Sequence, residues 1–276
     1  SLETTEMKWL RLRHEGHDAL ARLDGDTLHL HQDVGADVLA ANAALGTGKT
    51  LALSEVMAAA SAGQPLLPPC RPSKIVGLWN NFRAAAAKNG WAEPAEPLWF
   101  LKSPSSLCGH GAAIPAPRGY DGRVAYEGEL AIVIGRRAAG ISEADAADHI
   151  LGYTCANDVT AMELLGRDAS FAQWSRAKSF DGFCAVGPCI ETEFDAAAAS
   201  LRTIVGGRER QNYALADMFF NPQQLVALIS QNLTLEPGDL ILCGTSLGVL
   251  PMKPGSTVDV AIDGIGTLAN VYAPAS

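Results

Sequence analysis

Tyr126-Glu-Gly-Glu-Leu-Ala-Ile-Val-Ile-Gly135 is the stretch on which the reading of this chain turns. The apolar run that begins at Leu130 reads as a strand entering the interior on both faces. Glu127 and Glu129 stand at its mouth, on one face of the strand and about 6.6 Å apart. Carrying two like charges inward costs several kcal/mol unless a cation neutralises them, and an oxygen-only donor set suits Mg²⁺, Mn²⁺ or Ca²⁺. The competing reading is an ordinary solvated Glu-x-Glu strand end.

Working outward, short apolar strands recur at Lys74–Leu78, Ile150–Ala156 and Leu240–Cys243, separated by Gly/Pro loops and few helices. From Ser73 onward the chain therefore reads as a sheet-dominated body. Asp158 ends the Ile150 strand. It either completes a three-carboxylate metal cup or caps the following turn. Lys178, among Phe171, Trp174, Phe180 and Phe183, reads as a partly buried ammonium that needs anions, or as a snorkelling surface lysine. Ser142-Glu-Ala-Asp145 predicts a capped helix running to Ile150, and Asn221-Pro222 predicts another ending near Gln231. Val258–Ile262 and Thr267–Tyr272 flank Asp263-Gly264-Ile265-Gly266, a closing hairpin.

The first 72 residues differ in texture. Asp18–Leu23 and Thr27–Leu30 alternate around Asp24-Gly25-Asp26, a hairpin signal, and Ala36–Ala62 is Ala/Leu-rich and reads as helical. Residues 64–72 carry four prolines and read as a linker. The expected organisation is a small N-terminal β/α region, 1–72, before a body spanning 73–276.

Composition narrows the function. Hydrophobic residues are 48% and charged residues 18%, which excludes a disordered chain, and no apolar run approaches the roughly 20 residues of a membrane span. A net charge of −9 makes nucleic acid and anionic membranes poor partners. Six scattered cysteines without a Cys-x-x-Cys pair read as reduced, buried thiols in a cytoplasmic protein. Gly46-Thr-Gly-Lys-Thr50 lacks the first glycine of a P-loop, where Ala43 stands, and no Val/Ile-rich strand precedes it. His14 and His17 are three apart, not four as a zinc-protease helix needs, and His29 and His31 have no third ligand; all four read as surface histidines.

Taken together, Phe100-Leu-Lys-Ser-Pro-Ser-Ser106, Tyr126-Glu-Gly-Glu-Leu130, Gly152-Tyr-Thr154 with Asn157-Asp158, Gln173-Trp174, Lys178-Ser-Phe-Asp181, Gly187-Pro188, Leu235-Glu-Pro-Gly-Asp239, Gly244-Thr245 and Gly264-Ile-Gly266 resemble, in order and spacing, the fumarylacetoacetate hydrolase family. The likeness runs from about Lys74 to Tyr272. It implies an α+β fold with a mixed-β roll, commonly a homodimer, and one divalent cation, Mg²⁺ or Mn²⁺, held by Glu127, Glu129 and Asp158. By the same resemblance Lys178 polarises a substrate carbonyl, Thr245 helps hold the substrate carboxylate, and Gln211 faces the substrate.

Two departures matter. Many members carry Asn-Tyr-Arg-x-His-x-x-Glu, whose His and Glu form a general-base dyad; laying Asn81-Phe82-Arg83 on it puts Ala85 and Lys88 at those positions. His110 is the nearby substitute base in the sequence. Ser246 stands where proline is expected after Thr245. A metal-bound 2-oxo acid passes through an enolate in acylpyruvate hydrolysis, in decarboxylation and in keto–enol or dienoate isomerisation. The expectation is a C–C hydrolase of acylpyruvate type. Decarboxylase or isomerase/tautomerase chemistry and a non-catalytic ligand-binding paralogue are the alternatives. The cation cup does not choose among the reactions.

Overall fold

The alternation near the N-terminus becomes an antiparallel meander of β1 (Lys8–His14), β2 (His17–Asp24) and β3 (Thr27–Gln32), with the expected reversal at Gly25. The computed structural model of the chain describes residues 7–33 and 46–273. Next come β4 (Gly46–Ala52), α1 (Leu53–Ser61), β5 (Ile75–Trp79), α2 (Arg83–Asn89), β6 (Leu98–Lys102), β7 (Leu107–Cys108), β8 (Ala113–Ile114) and β9 (Val124–Ala125). They are followed by β10 (Gly128–Ile134), β11 (Ile150–Asp158), β12 (Thr160–Ala161), α3 (Met162–Leu165), α4 (Trp174–Lys178), β13 (Cys184–Glu191), β14 (Ser200–Val205) and β15 (Arg208–Ala214). The chain closes with α5 (Pro222–Ser230), β16 (Leu240–Leu242), β17 (Thr257–Ile262) and β18 (Gly266–Tyr272).

One sheet runs β4-β3-β2-β1-β13-β11-β10-β16-β5-β6, with β7 beside β13; a second, β15-β14-β17-β18-β8, packs across β10, β11 and β13. Parallel β16–β5 and antiparallel β10–β11 pairs make this the mixed-β, α+β fold expected. β10 is buried at every position because both its faces are covered: Leu130, Ile132 and Ile134 join one apolar cluster and Ala131 and Val133 another. Each such Leu or Ile contributes about 1.5–3 kcal/mol of burial.

The N-terminal strands extend the body's sheet, since β1 pairs with β13 (Lys8↔Glu191, Trp9↔Ile190). Leu10, Leu12 and Leu28 share a cluster with Leu130 and Ile241, so the described parts of 1–72 and 73–276 have a common core. The proline-rich segment lies against both, with the Leu67 N–H donating to the Arg11 carbonyl and the Leu66 N–H to that of His110.

Two local expectations are corrected. Gly46–Ala52 is strand, not helix, because β-branched Thr47 and Thr50 and two glycines are poor helix formers and β3 offers an open edge (Leu28↔Leu51, His29↔Thr50). Helix begins only at Leu53, and residues 36–45 lie outside the described residues. This strand also removes the phosphate-loop reading. Ser142 Oγ accepts from the Asp145 N–H at 3.3 Å, but this bond closes only a turn; the one 3₁₀ turn that follows, Ala146–His149, starts at Asp145 without a side-chain cap, and Ile150 is already taken up by pairing with Ile134. The Asn221 cap is as expected, with its reciprocal Gln224 bond. No helix among the described residues is long and apolar enough to cross a membrane.

Candidate metal centre and active site

Glu127 immediately precedes β10, Glu129 lies in it and Asp158 ends β11. The register Gly128↔Asn157, prolonged by the Asp158 N–H donating to the Glu127 carbonyl at 2.8 Å, sets Glu127 opposite Asp158. Alternation then sends all three carboxylates to one face, and one oxygen of each lies within 4.8 Å of the others. Gly128 points the other way, where a Cβ would stand 2.0 Å from Thr203 Oγ1; the glycine between the two glutamates is a packing requirement.

Two buried ammonium groups answer these charges. Lys178 Nζ, from the end of α4, donates to Glu127 Oε2 at 2.8 Å and Asp158 Oδ2 at 2.7 Å. Lys102 Nζ, from the end of β6, donates to Asp158 Oδ1 at 2.6 Å and to the Lys178 carbonyl. Lys102 is fully buried, and sequence reasoning passes over it although a signal exists: it shares the inward face of β6 with Phe100. Three carboxylates against two ammonium groups leave one net negative charge, which suits a cation.

Counting partners identifies the vacant donor. Glu127 Oε1 accepts from Thr160 Oγ1, and Glu129 Oε2 accepts from the Gly244 N–H at 2.7 Å. Glu129 Oε1 is buried with no hydrogen-bond partner. An orphaned buried carboxylate oxygen beside two other carboxylates fits a hard divalent cation, and the three residues are those expected from sequence to hold it. Burial, reinforced by Asp158 and Glu127, pushes the Glu129 carboxyl well above the ordinary range. Burial likewise raises Glu127 against the pull of Lys178. Asp158 feels the same burial, but Lys102 and Lys178 outweigh it and hold it low. Burial alone would lower Lys178; Asp158, Glu127 and Glu129 overturn that and keep it an ammonium.

A cavity of about 550 Å³ opens over Glu127, with Trp79, Ala85, Lys88, Trp91, Thr245 and Ser246 among its walls. α2 is clamped there by the segment before it: Asn81 Nδ2 donates to the Cys243 carbonyl at 2.8 Å, Asn81 Oδ1 accepts from the Phe220 N–H, and Asp217 receives the Ala84 N–H. The dyad positions Ala85 and Lys88 therefore do face the site, carrying a methyl and an ammonium.

The remaining expected residues divide. Thr245 lines the cavity, its Oγ1 donating to the Gly128 carbonyl at 2.9 Å. Gln211 is buried and is not among the residues that line the cavity. It is buried behind the loop, with Nε2 on Thr245 Oγ1 (2.8 Å) and Oε1 accepting from the Gly128 N–H, because the β14–β15 hairpin carries it under residues 245–247. It positions Thr245. His110 is not brought to the cluster. Its buried ring accepts the Ala269 N–H at Nδ1 (3.1 Å), beside Gly187, and burial lowers its pKa. Its loop is a seam: a Cβ at Gly109 would stand 2.1 Å from the Leu66 carbonyl oxygen.

An oxygen-only cation cup with a buried lysine, set at strand ends of a mixed-β roll, defines a class of enzyme. Residues 74–272 match the family model of the fumarylacetoacetate (FAA) hydrolase C-terminal domain, and the chain belongs to that family. Among its relatives is the oxaloacetate tautomerase YisK of Bacillus subtilis, 37% identical over 216 residues, covering 74% of this chain and 71% of the relative. The crystal structure of a 2-hydroxyhepta-2,4-diene-1,7-dioate isomerase from Mycobacterium marinum superposes with a TM-score of 0.82 at 36% identity, over 97% of this chain and 98% of the other. A 5-carboxymethyl-2-hydroxymuconate delta-isomerase from Mycobacterium smegmatis gives a TM-score of 0.82 at 34% identity, over 97% and 99% of the two chains.

Proposed function

We propose that this chain is a divalent-cation-dependent tautomerase or isomerase of 2-oxo acids, moving a proton at the carbon next to the ketone. The observation that carries this reading is the composition of the cavity wall: among the described residues Glu127 is its one carboxylate and no imidazole lines it, while Ala85 and Lys88 hold the dyad positions. Hydrolytic C–C cleavage needs a base to activate water. Keto–enol exchange needs stabilised negative charge on the ketone oxygen and an acceptor for the carbon-bound proton, which solvent water can be, but it needs no water activated as a nucleophile. A divalent cation held by Glu127, Glu129 and Asp158 would supply Lewis-acid stabilisation of that charge.

The chain's own groups do the rest. Lys178, kept protonated by its carboxylates, offers an N–H to an oxygen that gains charge, and Lys102 keeps Asp158 ionised. Thr245 Oγ1, held by Gln211 Nε2, gives its one proton to the Gly128 carbonyl and would have to turn it from there to the substrate carboxylate. Trp79, Trp91 and Leu250 give the tail apolar walls that exclude water. The tautomerase and isomerase relatives support the same reaction class.

The test incubates the Mn²⁺-supplemented protein with freshly dissolved oxaloacetate, following the enol absorbance and C3 deuterium exchange by NMR, with an acylpyruvate in parallel. Accelerated exchange without cleavage is expected. Acylpyruvate cleavage faster than exchange restores the hydrolase reading, release of CO₂ outpacing exchange indicates a decarboxylase, and ligand-induced stabilisation without any turnover indicates a binding paralogue.

A further inference from the structure

Resting on that reaction class, we propose that Lys88 selects the substrate by holding the second carboxylate of a 2-oxo diacid. Among the described residues that line the cavity over Glu127, Lys88 is the only cationic side chain. It is exposed, and among the described residues it enters no ion pair or side-chain hydrogen bond. The carboxylate that lines the cavity, Glu127, is already answered by Lys178 and Thr160. A free ammonium in this cavity therefore awaits an anion from outside the protein.

The rest of the wall sharpens the choice. Leu78, Trp79, Trp91, Leu247 and Leu250 would receive a methyl or alkyl tail but not a carboxylate. Ser246, in the same wall, has an Oγ that is buried without a hydrogen-bond partner. The chain as a whole carries −9, so a doubly charged substrate is repelled on average and needs a local cation to enter. The position that holds an acidic residue in the family's dyad thus holds the opposite charge here. That one replacement both removes a partner for a general base and installs an anion anchor. A purely local role also exists for Lys88, because a cation in the last turn of α2 favours the helix dipole. That role does not depend on the ligand, which makes the two separable.

The experiment uses a matched pair of 2-oxo acids, oxaloacetate and 2-oxobutanoate, which differ by a terminal carboxylate in place of a methyl. Binding to the Mn²⁺-loaded full chain is read by quenching of tryptophan fluorescence, since Trp79 and Trp91 line the cavity, and KM and kcat are measured alongside. The wild type is expected to bind oxaloacetate about tenfold more tightly, the scale of one charge-assisted hydrogen bond. In Lys88→Ala that preference disappears through the oxaloacetate affinity alone, in Lys88→Glu it inverts, and Lys88→Arg restores it. Added salt weakens oxaloacetate and spares 2-oxobutanoate. Equal weakening of both ligands in Lys88→Ala, or survival of the preference, overturns the assignment while wild-type tautomerisation stands. Loss of tautomerisation in the wild type with the Lys88-dependent preference intact sinks the reaction class and leaves the anchor. A wild type that does not prefer oxaloacetate overturns the anchor outright.

Discussion

Replacing Lys102 by methionine removes one buried charge from the carboxylate cluster and nearly preserves volume. Lys102 Nζ and Asp158 Oδ1 are 2.6 Å apart, and neither side chain is exposed. The cluster becomes one unit more negative, with Asp158 left leaning on Lys178 alone. Removing one partner of such a pair costs about 3–5 kcal/mol. With an unfolding entropy of about 2.1 cal/mol/K per residue over 276 residues, the melting temperature should fall by about 5–9 °C in chelator. Mn²⁺ at about 100 times its Kd should return about 2.7 kcal/mol, because the ion replaces the missing charge. Differential scanning calorimetry with and without Mn²⁺ reads both quantities. An unchanged melting temperature in chelator, or a fall that Mn²⁺ leaves untouched, would refute the claim that Lys102 makes the carboxylates tolerable.

Glu129→Ala should abolish Mn²⁺ uptake in elemental analysis and leave the fold intact by circular dichroism; unchanged metal content sinks the ligand assignment. The raised Glu129 carboxyl means that the metal-free folded chain keeps a proton which the unfolded chain releases above its ordinary 4.5, so this contribution is full below 4.5 and is lost as pH climbs through the raised value. In chelator the wild type should therefore lose stability relative to Glu129→Gln as pH rises through that window, and parallel curves would count against it. Lys178→Met should lower the turnover number by about 10²-fold or more at saturating Mn²⁺, the scale of losing a preorganised donor to developing charge; near-normal turnover removes Lys178 from the chemistry. His110→Ala should cost about 1–3 kcal/mol, by orphaning the Ala269 N–H, and leave turnover nearly unchanged; a large loss of turnover at unchanged stability would return His110 to the mechanism.

Much of the site is legible in the sequence because strand geometry is local. A two-residue repeat puts Glu127 and Glu129 on one face whatever surrounds them, and the end of an apolar strand is where Asp158 can stay polar. The ordered motifs from Phe100 to Gly266 carry the family, and Asn221-Pro222 carries its own helix start. What only the tertiary structure decides is what faces the cluster from elsewhere in the chain. Lys102 is inward because the β5–β6 register sets it against Ile75 and beside Asp158, more than fifty residues away. Gln211 is a brace because the β14–β15 hairpin slides it beneath the Thr245 loop, and His110 is a seam residue because β18 claims its ring. Gly46–Ala52 becomes a strand through the open edge of β3, a partner that propensity alone does not see. Charge pairing and hydrogen-bond satisfaction are properties of neighbours in space, so the identity of the carboxylates is written in the chain while their neutralisation is settled by the fold.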